Sequence, residues 1–237
     1  PSAEGVSAAA HGVDEKTAEQ IFDDMSTFAS YAFNKSHAAA YGMVAVQTGW
    51  LKRHYPVQFM AAIMNSVMDN AGKVAMYIQY CRKHDIPVLP PDINQSGWRF
   101  TVGKDDKGKA GIRFGMGAVK NVGRSAVAEI MKNRESAPYR DLFDFADRVP
   151  CEAVNKRTAE SLIKAGAFDY SGYNRAQLLS VYERVLDDAA KKHKNNLCGQ
   201  MCLFDMMTPE DCSVQAEVPD MPEHSRNAIL NMEKEMT

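Results

Sequence analysis

The chain has 237 residues, 45% hydrophobic and 24% charged, which permits one large core or two modest ones and excludes a wholly disordered or fibrous protein. Its five cysteines are odd in number and scattered, with no Cys-x-x-Cys pair, no histidine at zinc-ligand spacing, no apolar run of membrane-spanning length and no secretion-type start, so a reduced, cytoplasmic protein without a membrane partner is expected. The formal net charge of -2 divides unevenly: residues 1–117 carry 12 basic against 11 acidic side chains, residues 118–194 carry 14 against 11, and residues 195–237 carry 2 against 8.

Asp14 is placed to cap a helix from about Glu15 to Ala32, in which Ala18, Ile21, Phe22, Met25, Phe28 and Ala29 recur at spacings of three and four. A second helix is expected from His37 to about His54, capped by Ser36 and ended by Tyr55-Pro56, with Pro56 opening a third through Met68. Asp69-Asn70-Ala71-Gly72 reads as a turn before a fourth helix from Lys73 to Lys83. Ile86-Pro87-Val88-Leu89-Pro90-Pro91-Asp92 then forces extended chain, and a domain boundary is placed there, giving a first segment 1–88.

Trp98-Arg99-Phe100-Thr101-Val102 and Gly111-Ile112-Arg113-Phe114-Gly115 alternate in polarity around a polar loop, a hairpin expected to be the only sheet of note. Helices near 123–134, 141–148, 154–165 and 174–192 follow, in a second domain assigned to 89–205. Beyond Lys192 the periodicity fades into an acidic tail with Pro209, Pro219 and Pro222, expected to be loose through 206–237 except for helix returning at Asn227 to Met236. The fold class is mainly α.

Asn34-Lys35-Ser36-His37 gathers polar and cationic groups where a helix start has unpaired N–H groups, so Ser36 as N-cap with Lys35 and His37 beside it offers several donors to one phosphate. An ordinary capped helix is the alternative. The words Phe33-Asn34-Lys35-Ser36-His37-Ala38-Ala39-Ala40-Tyr41 and Gln47-Thr48-Gly49-Trp50-Leu51-Lys52-Arg53-His54-Tyr55-Pro56 resemble the fingers domain of the bacterial replicative DNA polymerase III alpha subunits, the C-family polymerases. The resemblance continues through Leu89-Pro90-Pro91-Asp92-Ile93-Asn94, Val154-Asn155-Lys156-Arg157 and Leu162-Ile163-Lys164-Ala165-Gly166-Ala167-Phe168-Asp169.

The run from Ala118 to Ile130 resembles the hairpin and second helix of a helix-hairpin-helix motif, in which a tight turn and a helix start meet a DNA phosphate without regard to base sequence. Asn121 stands where that motif usually has its first glycine, and Asn tolerates a left-handed backbone better than most residues. Lys120, Asn121, Val122, Gly123, Arg124 and Ser125 are the candidate duplex contacts of this unit. A second unit, at Leu162 to Asp169 and onward, adds Gly172, Asn174 and Arg175, so the tandem module spans about 118–192. A glycine-marked turn between packing helices is the alternative for each.

Gln200-Met201-Cys202-Leu203-Phe204 has the form of a sliding-clamp-binding peptide, in which Leu203 and Phe204 fill an apolar pocket while Gln200 anchors the segment; docking of the tail onto its own domain is the alternative. The resemblance implies a piece of a DNA-directed DNA polymerase. Its partners are then the incoming deoxynucleoside triphosphate on Asn34, Lys35, Ser36 and His37, primer–template duplex on the hairpins, the sliding clamp (beta subunit) on residues 200–204, and other replicase subunits. No Asp-x-Asp word occurs here, and the family's catalytic aspartates with their Mg2+ belong to a palm upstream. The chain is therefore expected to carry no catalytic residue, bind no metal or cofactor and not polymerise alone; its opening on Pro1 is expected of a piece of something longer. A stand-alone helix-hairpin-helix adaptor that docks on the clamp is the rival reading.

Overall fold

The structure is a computed structural model that describes residues 8–30, 35–197 and 217–236. It divides into two compact units, Pro1–His54 and Tyr55–Thr237. In the first, a 3-10 turn at Ala8–His11 precedes α1 (Glu15–Ser30) and α2 (Lys35–His54). Asp14 caps α1 as expected, its carboxylate accepting the Thr17 N–H at 3.0 Å, and the Thr17 hydroxyl and amide hold its pKa below the ordinary value. Ile21, Phe22, Met25 and Phe28 of α1 lie exposed in this unit, as do Tyr41, Val44, Trp50 and Leu51 of α2.

The second unit begins with α3 (Pro56–Ser66), whose first residue is the proline that cannot continue α2, and α4 (Ala71–Lys83). Asn70 is the N-cap of α4, accepting the Lys73 N–H at 3.0 Å, so the expected turn is shorter than read and Ala71-Gly72 already belong to the helix. Three short strands follow, β1 (Val88–Leu89), β2 (Thr101–Lys104) and β3 (Ala110–Arg113), in the order β1-β3-β2. The antiparallel β2–β3 hairpin is the one expected, closed by Asp105, which accepts the N–H groups of Lys107 and Lys109. The parallel pairing of β1 with β3, Val88 against Ile112, was not part of that expectation. Among the described residues of this unit there follow α5 (Arg124–Arg134), α6 (Leu142–Arg148), α7 (Lys156–Lys164), α8 (Arg175–Leu197) and α9 (Arg226–Met236).

The boundary expected near residue 88 falls inside the second unit, and the reason is long-range hydrogen bonding that composition does not reveal. Asn65 of α3 bonds both ways to Phe100, its Nδ2 donating to the Phe100 carbonyl and its Oδ1 accepting the Phe100 N–H, each at 2.8 Å. Asn94 clasps Tyr139 in the same manner, at 2.9 and 2.7 Å, and each such bond contributes about 1 kcal/mol net. One continuous core, including Met60, Met64, Ile112, Ile130, Leu162 and Phe168, runs from α3 through α8. The division therefore falls between His54 and Tyr55, where α2 ends ahead of Pro56, instead of at the proline-rich strand.

Candidate nucleic-acid interface

The first hairpin lies between a 3-10 turn at Met116–Ala118 and the start of α5. Asn121 takes the left-handed backbone that its place in the motif requires, with φ of 62°. Two polar anchors hold it there. Its Nδ2 donates to the Ser161 hydroxyl at 3.0 Å, and its carbonyl accepts the Thr158 hydroxyl at 2.8 Å, both partners being buried on α7. Asn121→Ala is expected to cost about 2 kcal/mol, about half from the left-handed backbone and half from the lost Ser161 bond. Asn121→Gly should recover the backbone share in a urea titration, and equal losses for the two variants would contradict this assignment.

Gly123 then caps α5 with extended backbone and no capping side chain, and Gly123, Arg124 and Ser125 are exposed. This leaves the α5 start open toward an anion. Arg124 lies 5.8 Å from the Trp98 ring, and that indole packs so closely over Gly117 that any side chain at 117 would collide with it. Trp98 thus supports the hairpin's exposed cation, a role that sequence reading missed because the two residues are brought together only by the fold. Val122, expected among the duplex contacts, is a core residue at 7% exposure: the turn directs it inward to pack beneath the hairpin. Lys120 is exposed, yet its N–H and ammonium both donate to α9, to the carbonyls of Met236 and Glu235.

The second hairpin differs. Gly166 (φ 88°) and Gly172 (φ 80°) supply its left-handed turns, and Asn174 forms a reciprocal capping box with Gln177 at the start of α8, at 2.8 and 3.0 Å. Arg175 turns inward at 6% exposure instead of reaching outward, because carboxylates wait for it: Asp169 at 2.6 Å and Glu233 at 2.9 Å, with the Lys164 carbonyl at 3.1 Å. Burial opposes its charge, but these carboxylates more than offset that and hold the guanidinium's pKa above its ordinary value. The α8 start is already occupied: Glu223 accepts the N–H groups of Arg175 at 2.9 Å and Ala176 at 3.2 Å. Burial would raise the Glu223 pKa, yet these two bonds and the His224 N–H outweigh it and set it below the usual carboxylate value. The stretch before α9 was expected to be loose; where described, from residue 217, it is instead pinned by these contacts.

The triphosphate candidates Lys35, Ser36 and His37 lie exposed within α2, and Ser36, expected as the cap, is itself a helical residue. His37 packs on Tyr41 at 4.4 Å between ring centroids. Asn34 and the peptide from Gln200 through Met201, Cys202 and Leu203 to Phe204 lie outside the described residues. Among the described residues no three His, Cys, Asp or Glu side chains converge to hold a metal ion, and no helix is long and apolar enough to cross a membrane.

A sequence model of the helix-hairpin-helix motif matches residues 85–178, which takes in both hairpins. The DNA polymerase III subunit alpha of Neisseria meningitidis serogroup B is 44% identical over 228 residues, 96% of this chain and 19% of its own length. The chain is homologous to a segment of the DNA polymerase III alpha subunit. The alpha subunit of Vibrio cholerae is 41% identical over 95% of the chain and 19% of its own length, and that of Thermus aquaticus 46% identical over 81% and 15%. The chain thus spans about a fifth of the length of these polymerase III relatives or less.

Proposed function

We infer that this chain is the portion of a bacterial replicative DNA polymerase that reaches the incoming nucleotide, holds duplex DNA behind the site of synthesis and docks the enzyme on its sliding clamp. The supporting observation is the 44% identity that extends over 96% of the chain, through both compact units. An adaptor built on the hairpins and clamp peptide alone leaves the likeness of the first unit unexplained.

Within this reading the parent enzyme transfers a deoxynucleotide from a triphosphate to a primer 3′ hydroxyl. Lys35 supplies a mobile positive charge and the α2 start supplies backbone donors to the triphosphate, with Asn34, Ser36 and His37 beside them. The first hairpin holds a duplex phosphate through the open α5 start and Arg124, a contact blind to base sequence and weakened by salt. Gln200 to Phe204 engage the clamp. The Mg2+ ions of phosphoryl transfer do not fit the described residues, which gather no ligand set, and in this reading they are held by palm carboxylates of the parent enzyme.

Lys35→Ala in the full-length polymerase is expected to lower kcat/KM for nucleotide by about 10- to 100-fold, the worth of one charge-assisted hydrogen bond to phosphate. Most of the loss should fall on KM, read by single-nucleotide incorporation. Unchanged kinetics would remove the α2 start from the nucleotide site.

A further inference from the structure

The two hairpins look alike in sequence but present different surfaces. The α5 start is open, whereas the α8 start holds the Glu223 carboxylate on the two N–H groups that a DNA phosphate would take. Glu223 is fixed by more than these bonds. Asn174 Nδ2 donates to the Met221 carbonyl at 2.8 Å, Gln177 Nε2 to the Pro219 carbonyl at 3.1 Å, and Arg175 to Glu233 at 2.9 Å. At the far end of α9 the Met236 side chain is buried, and its carbonyl accepts the Lys120 N–H at 2.8 Å.

One segment therefore covers the anion-binding start of the second hairpin and also engages the lysine of the first. Its charge suits that place: residues 217–236 carry five acidic and two basic side chains, against the basic excess of 118–194. A cleft lined by Asp169, Gly172, Tyr173, Asn174, Arg175, Glu223 and Ile229 opens beside the carboxylate; Arg175 neutralises Asp169 there, and the cleft gives a competing anion a way in.

We propose that residues 217–236 form an intramolecular strap whose Glu223 carboxylate stands in for a DNA phosphate at the second hairpin, so that strap and duplex compete for the start of α8. The proposal rests on the duplex-binding reading above. With the strap docked, only the first hairpin contacts DNA; with it released, the second adds a phosphate contact.

The test uses the 237-residue chain, unmodified and as Glu223→Ala and Asp220→Asn, with duplex binding followed by fluorescence anisotropy across a salt series and the strap followed by hydrogen–deuterium exchange. Glu223→Ala should speed exchange across 226–236, tighten duplex binding at fixed salt by at least about threefold, and steepen the log–log salt slope by about one, the signature of one added phosphate contact. Asp220→Asn removes the same charge without vacating the helix start and should leave the slope unchanged. In the unmodified chain, saturating duplex should itself speed exchange in 226–236, a readout that needs no variant to fold.

Unchanged exchange in Glu223→Ala would overturn the strap. Faster exchange with an unchanged slope, or added protection of 226–236 on binding duplex, would overturn the competition. If the unmodified chain fails to bind duplex while Glu223→Ala binds it, the strap masks the module fully and the proposal stands. If neither binds although the strap is released, both the competition and the duplex-binding reading fall.

Discussion

A chain carrying Leu203→Ala together with Phe204→Ala is expected to bind the bacterial sliding clamp at least about 100-fold more weakly than the unmodified chain. A peptide of this kind binds through few contacts, and two large apolar anchors carry most of the free energy. Removing each from a dry pocket costs about 2 kcal/mol, and 1.4 kcal/mol corresponds to a tenfold change in Kd. Circular dichroism of both chains checks that the two alanines leave the fold unchanged. Surface plasmon resonance on immobilised clamp separates the outcomes. Saturable binding lost in the double variant ties the chain to clamp docking, whereas equal binding by both chains, or none by a folded unmodified chain, removes residues 200–204 from that role.

Phe168→Ala is expected to destabilise the second unit by about 3–5 kcal/mol, the usual range for deleting a fully buried aromatic ring. Phe168 has no exposed surface and meets Phe145 edge-on at 5.2 Å, which in turn meets Tyr139 edge-on at 5.2 Å, so the ring ends a chain of aromatic contacts through the core. It also occupies the turn between α7 and α8, between Gly166 and Asp169, the latter being the carboxylate that holds Arg175. A cavity there should loosen the second hairpin along with the core. Urea unfolding monitored by circular dichroism measures the loss, and a change below about 1 kcal/mol would mean that the site collapses around the deletion.

Much of this molecule was legible in its local sequence. The cap at Asp14, the proline start at Pro56, the β2–β3 hairpin, the helices of the tandem module and the helix returning near Asn227 were all read from spacing and turn chemistry, and the structure bears them out. Asn121, a departure from the glycine usual at that place in the motif, takes the left-handed backbone that asparagine tolerates, with φ of 62°. Ser36 shows the limit of such reading: expected as a cap, it is a helical residue within α2.

Tertiary structure alone decided the rest. The sequence determined which segments are helix or hairpin, because those choices depend on neighbours within a few residues, where dihedral preference and hydrogen-bond offset act directly. It did not determine that β1 joins β3, that Asn65 binds α3 to Phe100, that Val122 faces the core while Arg124 faces out, or that Glu223 reaches the start of α8. Each of these joins groups far apart along the chain, and a carboxylate in an acidic tail looks the same whether it meets water or a helix start. Only the packed fold, by bringing Glu223 within 2.9 Å of the Arg175 amide nitrogen, distinguishes the two.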